Sequence, residues 1–209
     1  MADPTNLTAA IERGDRVQAT SATRAAIDDG LEPGTILAAM TSAMETVGSR
    51  FQRNEIYVPE MLFSARAMKE SMALLEPLLI GAGIRPEHTA VIGTVKGDLH
   101  DIGKNLVAMM WKGANIQVID LGTNVSADQF VAAARDHRAQ LIGVSALLTT
   151  TMVGMKDVVT AVRIAGLNGA RIVIGGAPVT QDFADQIGAD AYAPDAGAAV
   201  EVARRVLAR

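Results

Sequence analysis

The feature that most constrains the fold is a change of hydrophobic periodicity near the segment Gly81-Ala82-Gly83-Ile84-Arg85-Pro86. Before this segment, apolar residues recur at spacings of three and four, which is typical of helices that bury one face. After it, short apolar runs alternate with amphipathic segments, a pattern that predicts βαβ units and a parallel sheet. The sequence therefore predicts a helical domain over residues 1–84 and an α/β domain over residues 85–209.

The first domain is predicted to be a bundle of four helices. The last of them has the clearest apolar seam, formed by Met61, Ala65, Met68, Met72, Leu75 and Leu79. Similar faces lie within residues 36–51 and 15–27, and a short helix is predicted from about Asn6. Gly14 and Gly30 separate the first three helices, as expected for residues that end helices.

The second domain is predicted to contain five strands, at residues 90–95, 116–120, 141–146, 171–174 and 190–192. Continuous apolar runs favour strands that are covered on both faces. Five such strands with intervening helices are typical of a flavodoxin-like or Rossmann-like parallel sheet. In that fold, ligands bind beyond the carboxyl ends of the strands, where the strand order reverses.

Composition excludes several classes of function. The absence of cysteine excludes disulfides, thiolate metal sites and a cysteine nucleophile. No uninterrupted apolar run is long enough to cross a membrane, and the N-terminus lacks the pattern of a signal peptide. The net charge is −4 and the basic residues are scattered, which does not favour nucleic-acid binding. We therefore expect a cytoplasmic protein that binds neither nucleic acid nor membranes.

The most informative segment, residues 94–105, follows the first predicted strand. His100 in this loop can offer a ring nitrogen to a metal, and Asp98 can accept the proton of the other ring nitrogen. Gly103 leaves space at the start of the next helix, where the backbone amides of Lys104 and Asn105 are expected to be available to a ligand. By themselves, these residues also fit a structural histidine beside a capping aspartate.

Two further segments end strands at the same edge of the predicted sheet. They are residues 145–151 after the third strand and Gly175-Gly176 after the fourth. Their small and hydroxyl-bearing side chains can admit a flat heterocycle between the strands, although ordinary turn chemistry also accounts for them.

Together, these segments resemble the cobalamin-binding module of methionine synthase and the small corrinoid proteins of methyltransferase systems. Asp98, His100 and Gly103 match the D-x-H-x-x-G motif of that family. Ser145 and Leu147 match its S-x-L motif, and the glycine pair at 175–176 matches its G-G motif. The resemblance covers nearly the whole chain.

The resemblance implies that cobalamin binds with its dimethylbenzimidazole tail displaced from cobalt and inserted between strands. His100 is then the lower axial ligand of the cobalt. Thr149 is expected to touch the tail, and Thr151 to donate a hydrogen bond to Asp98 where relatives often carry serine. The implied cofactor contacts in this domain are Gly97, Asp98, His100, Asp101, Ile102, Gly103, Ser145, Leu147, Thr149, Thr151, Gly175 and Gly176.

The resemblance also implies that the helical domain covers the upper face of the corrin. Phe51, Val58 and Met61 are the expected contacts there. Apolar shielding protects a reactive cobalt centre from water. Packing between helices is an equally good explanation for Met61.

The implied function is that of a corrinoid methyl carrier, a non-catalytic subunit of a multi-component methyltransferase system. A substrate:corrinoid methyltransferase is expected to load the methyl group, and a corrinoid:acceptor methyltransferase to pass it to tetrahydrofolate or a thiol, with a reductive activator as a further partner. A cobalamin-dependent sensor or regulator is the alternative. The small subunit of an adenosylcobalamin mutase is a weaker one, because it leaves the helical domain unexplained.

Overall fold

The computed structural model describes residues 4–208 of the chain. It divides the chain into two compact units. One comprises the residues up to Pro86 together with Gly113–Asn115, and the other comprises the remainder from Glu87 onward. The predicted combination of a helical bundle and a five-stranded parallel sheet is confirmed.

The first unit is built on four helices, α1 (Thr5–Glu12), α2 (Arg16–Asp28), α3 (Pro33–Gln52) and α4 (Val58–Gly81). Side chains at the helix starts satisfy free backbone amides: Asp15 accepts the N–H of Gln18 at the start of α2, and Glu60 accepts the N–H of Tyr57 at the start of α4. Helix α4 packs against α2 and α3, and α1 packs against α2 and α3. The largest fully buried side chains of these helices are Leu7, Ile11, Ile36, Met40, Met44, Met61 and Leu75.

The second unit alternates strands and helices. Its elements are β1 (His88–Thr94), α5 (Ile102–Gly113), β2 (Ile116–Asp120), α6 (Ala127–Asp136), β3 (Leu141–Ser145), α7 (Val153–Ile164), β4 (Arg171–Gly175), α8 (Gln181–Ile187), β5 (Ala191–Ala193) and α9 (Ala196–Leu207). All the strand pairs are parallel, in the order β2-β1-β3-β4-β5. This is the flavodoxin-like order, with its reversal between β1 and β3.

The strand register brings the carboxyl ends of the central strands together. Thr94 of β1 pairs with Ser145 of β3, which in turn pairs with Gly175 of β4. The loops that follow these three strands therefore begin side by side. They are the loops that carry the sequence motifs.

The last strand begins at Ala191, one residue later than predicted, and Asp190 lies just before it. Its carboxylate accepts the backbone N–H of Ile172 and pairs with the guanidinium of Arg163, each at 2.7 Å. The carboxylate thus joins β4, α7 and the start of β5.

The sheet is covered on both faces, as the continuous apolar runs predict. On one face, Val91, Ile142 and Ile172 of β1, β3 and β4 are completely buried; on the other, Ile92 of β1 and Val173 of β4 are buried too. Trp111 of α5 is also buried, and its indole N–H donates to the carbonyl of Ala199 in α9 at 2.9 Å. None of the helices among the described residues has the length and apolar character needed to cross a membrane.

Candidate functional site

The candidate site centres on the carboxylate of Asp98, which is completely buried in the loop between β1 and α5. Its Oδ1 accepts the backbone N–H of His100 at 3.1 Å and lies 3.0 Å from His100 Nδ1. Its Oδ2 accepts the backbone N–H groups of Leu147 and Leu148 at 2.7 and 3.3 Å, and the hydroxyl of Thr151 at 2.8 Å. One carboxylate therefore joins the two loops that flank the reversal of strand order. The hydrogen bond predicted between Thr151 and Asp98 is present.

These contacts determine the charge of Asp98. Burial by itself raises the pKa of the carboxyl group. The hydrogen bonds from the amides of Leu147 and His100, the Thr151 hydroxyl and the His100 ring outweigh burial and hold the pKa well below its usual range. Asp98 is therefore ionised at neutral pH and accepts hydrogen bonds only.

An ionised Asp98 determines which tautomer of His100 is present. Because the carboxylate cannot donate, the proton between the two groups belongs to Nδ1 of the imidazole. The neutral ring then has its lone pair on Nε2. The His100 side chain is 54% exposed, so this nitrogen belongs to a ring that a ligand can reach. The geometry is that of a histidine oriented by a carboxylate for metal binding.

Two residues that the sequence reasoning missed hold the backbone of this loop. The hydroxyl of Thr94, at the end of β1, donates to the carbonyl of His100 at 2.8 Å. Asn124 lies in the loop between β2 and α6, and it donates its backbone N–H to the carbonyl of Asp98 at 3.0 Å. Its side-chain Oδ1 accepts the N–H of Gly97 at 2.8 Å. The position of both residues at carboxyl ends of strands is a signal that could have identified them.

The start of α5 is tied down by polar side chains. The Nζ atom of Lys104, which is almost completely buried, lies 2.6 Å from both carboxylate oxygens of Asp120 and from Oδ1 of Asn105. The prediction that the amide of Asn105 is available to a ligand is wrong. That N–H donates to the carbonyl of Asp101 at 2.7 Å, because the helical hydrogen-bond pattern already begins there.

The remaining predicted residues of the first loop surround His100. Gly97 has a positive φ of 84°, which glycine adopts without strain. Asp101, Ile102 and Gly103 are exposed, and a Cβ added to Gly103 would have no described atom within 4 Å. The space that Gly103 was expected to leave is therefore present.

The residues predicted after β3 lie in the loop that donates to Asp98. Ser145 ends the strand and is partly buried, whereas Leu147 and Thr149 are exposed. Their contact with a cofactor tail stays a prediction.

The glycine pair after β4 has a clear backbone role. Gly176 has a φ of 134°, and a Cβ there would overlap the carbonyl oxygen of Ala146. A Cβ on Gly175 would come within 2.9 Å of the carbonyl oxygen of Ala193. Both glycines therefore let neighbouring strand ends approach closely, and their contact with a cofactor stays a prediction.

The residues predicted to shield the upper face lie in the helical unit. Phe51, in the last turn of α3, is partly buried, and so is Val58 at the first position of α4. Met61 is completely buried, which favours a packing role for it. The shielding role of all three stays a prediction.

The second unit fits the cobalamin that the resemblance implies. His100 offers one nitrogen ligand, which suits a metal whose other ligands belong to a macrocycle. The residues beside it are unusually apolar for exposed loops: Leu99 and Ile102 are 75% and 74% exposed, and Leu148 is 43% exposed. Exposed apolar side chains at a polar, metal-binding loop are expected where a flat organic ligand covers them.

Comparison with known proteins agrees with this geometry. Two protein families, both described as B12 binding domain, match this chain, one over residues 88–203 and the other over residues 5–76. A corrinoid protein of Desulfitobacterium hafniense is 38% identical over 205 residues, which cover 96% of this chain and 95% of that protein. A dimethylamine corrinoid protein of Methanosarcina barkeri is 40% identical over 181 residues, covering 85% of each chain.

Two solved structures share the fold over nearly the whole chain. A cobalamin-binding protein from Desulfitobacterium hafniense has a TM-score of 0.84 and 26% identity, with 99% of each chain covered. A chain of the methanol:cobalamin methyltransferase complex from Methanosarcina barkeri has a TM-score of 0.84 and 30% identity, with 97% of this chain and 78% of that chain covered. On these matches and the Asp98–His100 geometry, the protein belongs to the corrinoid proteins of methyltransferase systems, and its cofactor is cobalamin.

Proposed function

We propose that this protein carries a methyl group on the cobalt of bound cobalamin between two methyltransferases. The observation that carries the proposal is the hydrogen-bonded chain from the His100 ring through the Asp98 carboxylate to the Thr151 hydroxyl. When bound, cobalamin supplies a cobalt centre that accepts and releases a methyl group. Asp98 and Thr151 hold and orient the ring of His100, which is proposed to ligate that centre.

In this proposal, each of the three hydrogen-bonded residues has a defined task. His100 offers Nε2 to the cobalt. Asp98 retains the proton on Nδ1 and fixes the plane of the ring, since the ring and the backbone of His100 both bind its Oδ1. Thr151 and the amides after β3 stabilise the ionised, buried carboxylate by hydrogen bonds, so that it stays charged without a neighbouring cation.

Two different proteins are proposed as partners of the carrier. A substrate:corrinoid methyltransferase loads the methyl group, and a corrinoid:acceptor methyltransferase removes it to tetrahydrofolate or a thiol. The relatives support a donor chosen by the partner, because one is described as a dimethylamine corrinoid protein and another belongs to a methanol:cobalamin methyltransferase complex. We also propose a reductive activator as a partner and a cytoplasmic location.

The helical unit is proposed to shield the upper face of the cofactor through Phe51 and Val58, whereas the complete burial of Met61, the third expected contact, favours packing between helices. Phe51 and Val58 stand at the end of α3 and the start of α4, on either side of the loop between these helices. Both are only partly buried, which leaves apolar surface for such a contact. Between transfers, an apolar cover excludes water from the reacting centre.

The proposal is tested by demethylation of the loaded protein. The full chain is reconstituted with methylcobalamin and mixed with one acceptor methyltransferase that uses tetrahydrofolate and, separately, one that uses a thiol. We expect one of them to form methylated acceptor faster from the loaded protein than from free methylcobalamin at the same concentration, and His100→Ala to lose this advantage. Transfer no faster than from free cofactor with both enzymes would refute the carrier role.

A further inference from the structure

Asn124 contacts the loop that carries His100. It does so from the side opposite to the hydrogen bonds that join Asp98 to Leu147 and Thr151. Strand β1 lies between β2 and β3, so the loop after it has one neighbour on each side. The loop after β3 binds the carboxylate of Asp98, through Leu147 and Thr151. The loop after β2 binds the backbone of the same turn, through Asn124.

Asn124 makes two hydrogen bonds, one on each side of the peptide unit that joins Gly97 to Asp98. Its side-chain Oδ1 accepts the N–H of Gly97 at 2.8 Å, and its backbone N–H donates to the carbonyl of Asp98 at 3.0 Å. The first of these bonds joins residues that are 27 positions apart in the sequence. The two bonds therefore fix the turn relative to the sheet, and not merely relative to its own neighbours in sequence.

We propose that Asn124 is a positioning residue, which holds the Asp98–His100 turn in its ligand-binding geometry before cobalamin arrives. The inference rests on the proposed role of His100 as the cobalt ligand. Asn124 touches neither the cofactor nor the reacting atoms in this proposal. It acts by fixing the backbone that carries Asp98.

The conformation of Asn124 explains why this residue type is suited to the task. Its φ is 57°, in the left-handed region, which asparagine adopts more readily than most other residues except glycine. Glycine would accept the same backbone but offers no side-chain acceptor to Gly97. Asparagine or aspartate therefore meets both requirements, the positive φ and an oxygen within reach of the Gly97 amide.

The loop that carries Asn124 is itself held in register with the strands. Val125, the next residue, forms a bridge with Val95, and its N–H donates to the carbonyl of Thr94 at 2.9 Å. Val95 and Val125 are both buried. Asn124 therefore lies next to a residue that is bonded to the sheet, as expected of a residue that preorganises a ligand site.

The two hydrogen bonds of Asn124 join protein atoms only, so the proposal can be tested first on the cofactor-free protein. Asn124→Gly is compatible with the positive φ and removes the acceptor of the Gly97 N–H, but it also adds backbone freedom. Asn124→Asp keeps an acceptor at the same place. Asn115→Gly is the matched control, because Asn115 also has a positive φ, 61°, in the turn between α5 and β2.

Two measurements are made on the full chain of each variant. Hydrogen–deuterium exchange of the cofactor-free protein reports the protection of the amides in residues 96–101. Titration with methylcobalamin, followed by visible absorption, reports cofactor affinity. We expect Asn124→Gly to lose amide protection and to bind about tenfold more weakly or worse, since supporting residues around metal ligands typically contribute 10–100-fold in affinity. Asn124→Asp should restore both, and Asn115→Gly should leave both unchanged.

Unchanged protection and affinity in Asn124→Gly would overturn the proposal. An equal loss of affinity in Asn115→Gly would also overturn it, because the loss would then come from the added freedom of glycine. If the wild-type protein retains no methylcobalamin, the cofactor role of His100 fails. The exchange measurement still decides in that case whether Asn124 holds the turn.

Discussion

The Nδ1 atom of His100 lies 3.0 Å from Oδ1 of Asp98, and the same oxygen accepts the backbone N–H of His100 at 3.1 Å. Two hydrogen bonds from one residue to one oxygen fix both the position of its backbone and the direction of its ring. Because Asp98 is buried and ionised, the charge that it places beside Nδ1 is poorly screened by water. The tautomer and the orientation of the His100 ring therefore depend on the carboxylate, and with them the direction in which Nε2 can bind a metal.

Replacing Asp98 by asparagine tests this dependence. The substitution Asp98→Asn keeps the size of the side chain but removes its charge, and it puts an amide where Oδ1 or Oδ2 accepts hydrogen bonds. We expect cobalamin affinity to fall by about 10–100-fold, measured by titration with methylcobalamin. Asp136→Asn, a change at an exposed carboxylate in α6, is the control and should bind like wild type. Equal affinities for the two variants would show that Asp98 does not support the ligand.

The lowered pKa of Asp98 predicts a specific dependence of stability on pH. An aspartate in an unfolded chain has a pKa of about 3.9. Because the folded-state pKa of Asp98 lies below that value, its contribution to the free energy of unfolding is fully present above about pH 4. It is lost as the pH falls through the folded-state pKa.

The measurement is the free energy of urea unfolding of the cofactor-free protein between neutral pH and pH 3. We expect the advantage of wild type over Asp98→Asn to begin to decrease as the pH falls below about 4, where Asp98 begins to bind a proton on unfolding. A difference between the two proteins that does not change with pH would contradict the assigned ionisation of Asp98.

The hydroxyl of Thr151 offers a conservative pair of substitutions. Thr151→Ser keeps the donor to Asp98 Oδ2, whereas Thr151→Val keeps the shape and removes the donor. We expect Thr151→Val to lose about 1–3 kcal/mol of unfolding free energy, because it removes a hydrogen bond to a buried charged group. Thr151→Ser should lose clearly less. Chemical denaturation of the cofactor-free proteins checks this, and equal losses would mean that the methyl group of Thr151, not its hydroxyl, matters.

The sequence was sufficient for the architecture of both units because periodicity reports burial directly. The seam from Met61 to Leu79 predicts α4, and the apolar runs predict each of the five strands within one or two residues at their ends. Strand β1 begins two residues earlier than its apolar run, because His88 and Thr89 pair with Ile116 and Gln117 of β2 without being fully buried. Pairing of this kind leaves no hydrophobic signal.

The site was predictable only in part. His100, Asp98 and Thr151 stand in motifs whose spacing carries the chemistry. Thr94 binds the backbone carbonyl of His100 six residues later, through a hydroxyl that no motif marks. Asn124 acts on backbone groups of another loop, 27 residues from Gly97, which only the folded sheet brings close. The burial of Lys104 was missed for the same reason, since its partner Asp120 lies at the end of a neighbouring strand.

The ion pair between Lys104 and Asp120 gives a further prediction about stability. Lys104→Met removes a buried cation and leaves the Asp120 carboxylate without it, so we expect a loss of about 1.5–3 kcal/mol in unfolding free energy. Because Asp120 is exposed and also accepts the N–H of Gly122, Asp120→Asn is the matching single change, and the double variant should lose less unfolding free energy than the sum of the two single losses. Single losses that simply add in the double variant would show that the two side chains act independently.

The central claim is that His100 ligates the cobalt of bound cobalamin. The most direct measurement is the visible spectrum of the full chain reconstituted with methylcobalamin, recorded beside those of His100→Ala and of His137→Ala, a change at the end of α6. We predict that wild type and His137→Ala retain the cofactor with the spectrum of a base-displaced, histidine-ligated form, and that His100→Ala lacks the histidine ligand. Identical spectra for wild type and His100→Ala, or failure of wild type to retain the cofactor, would contradict the claim.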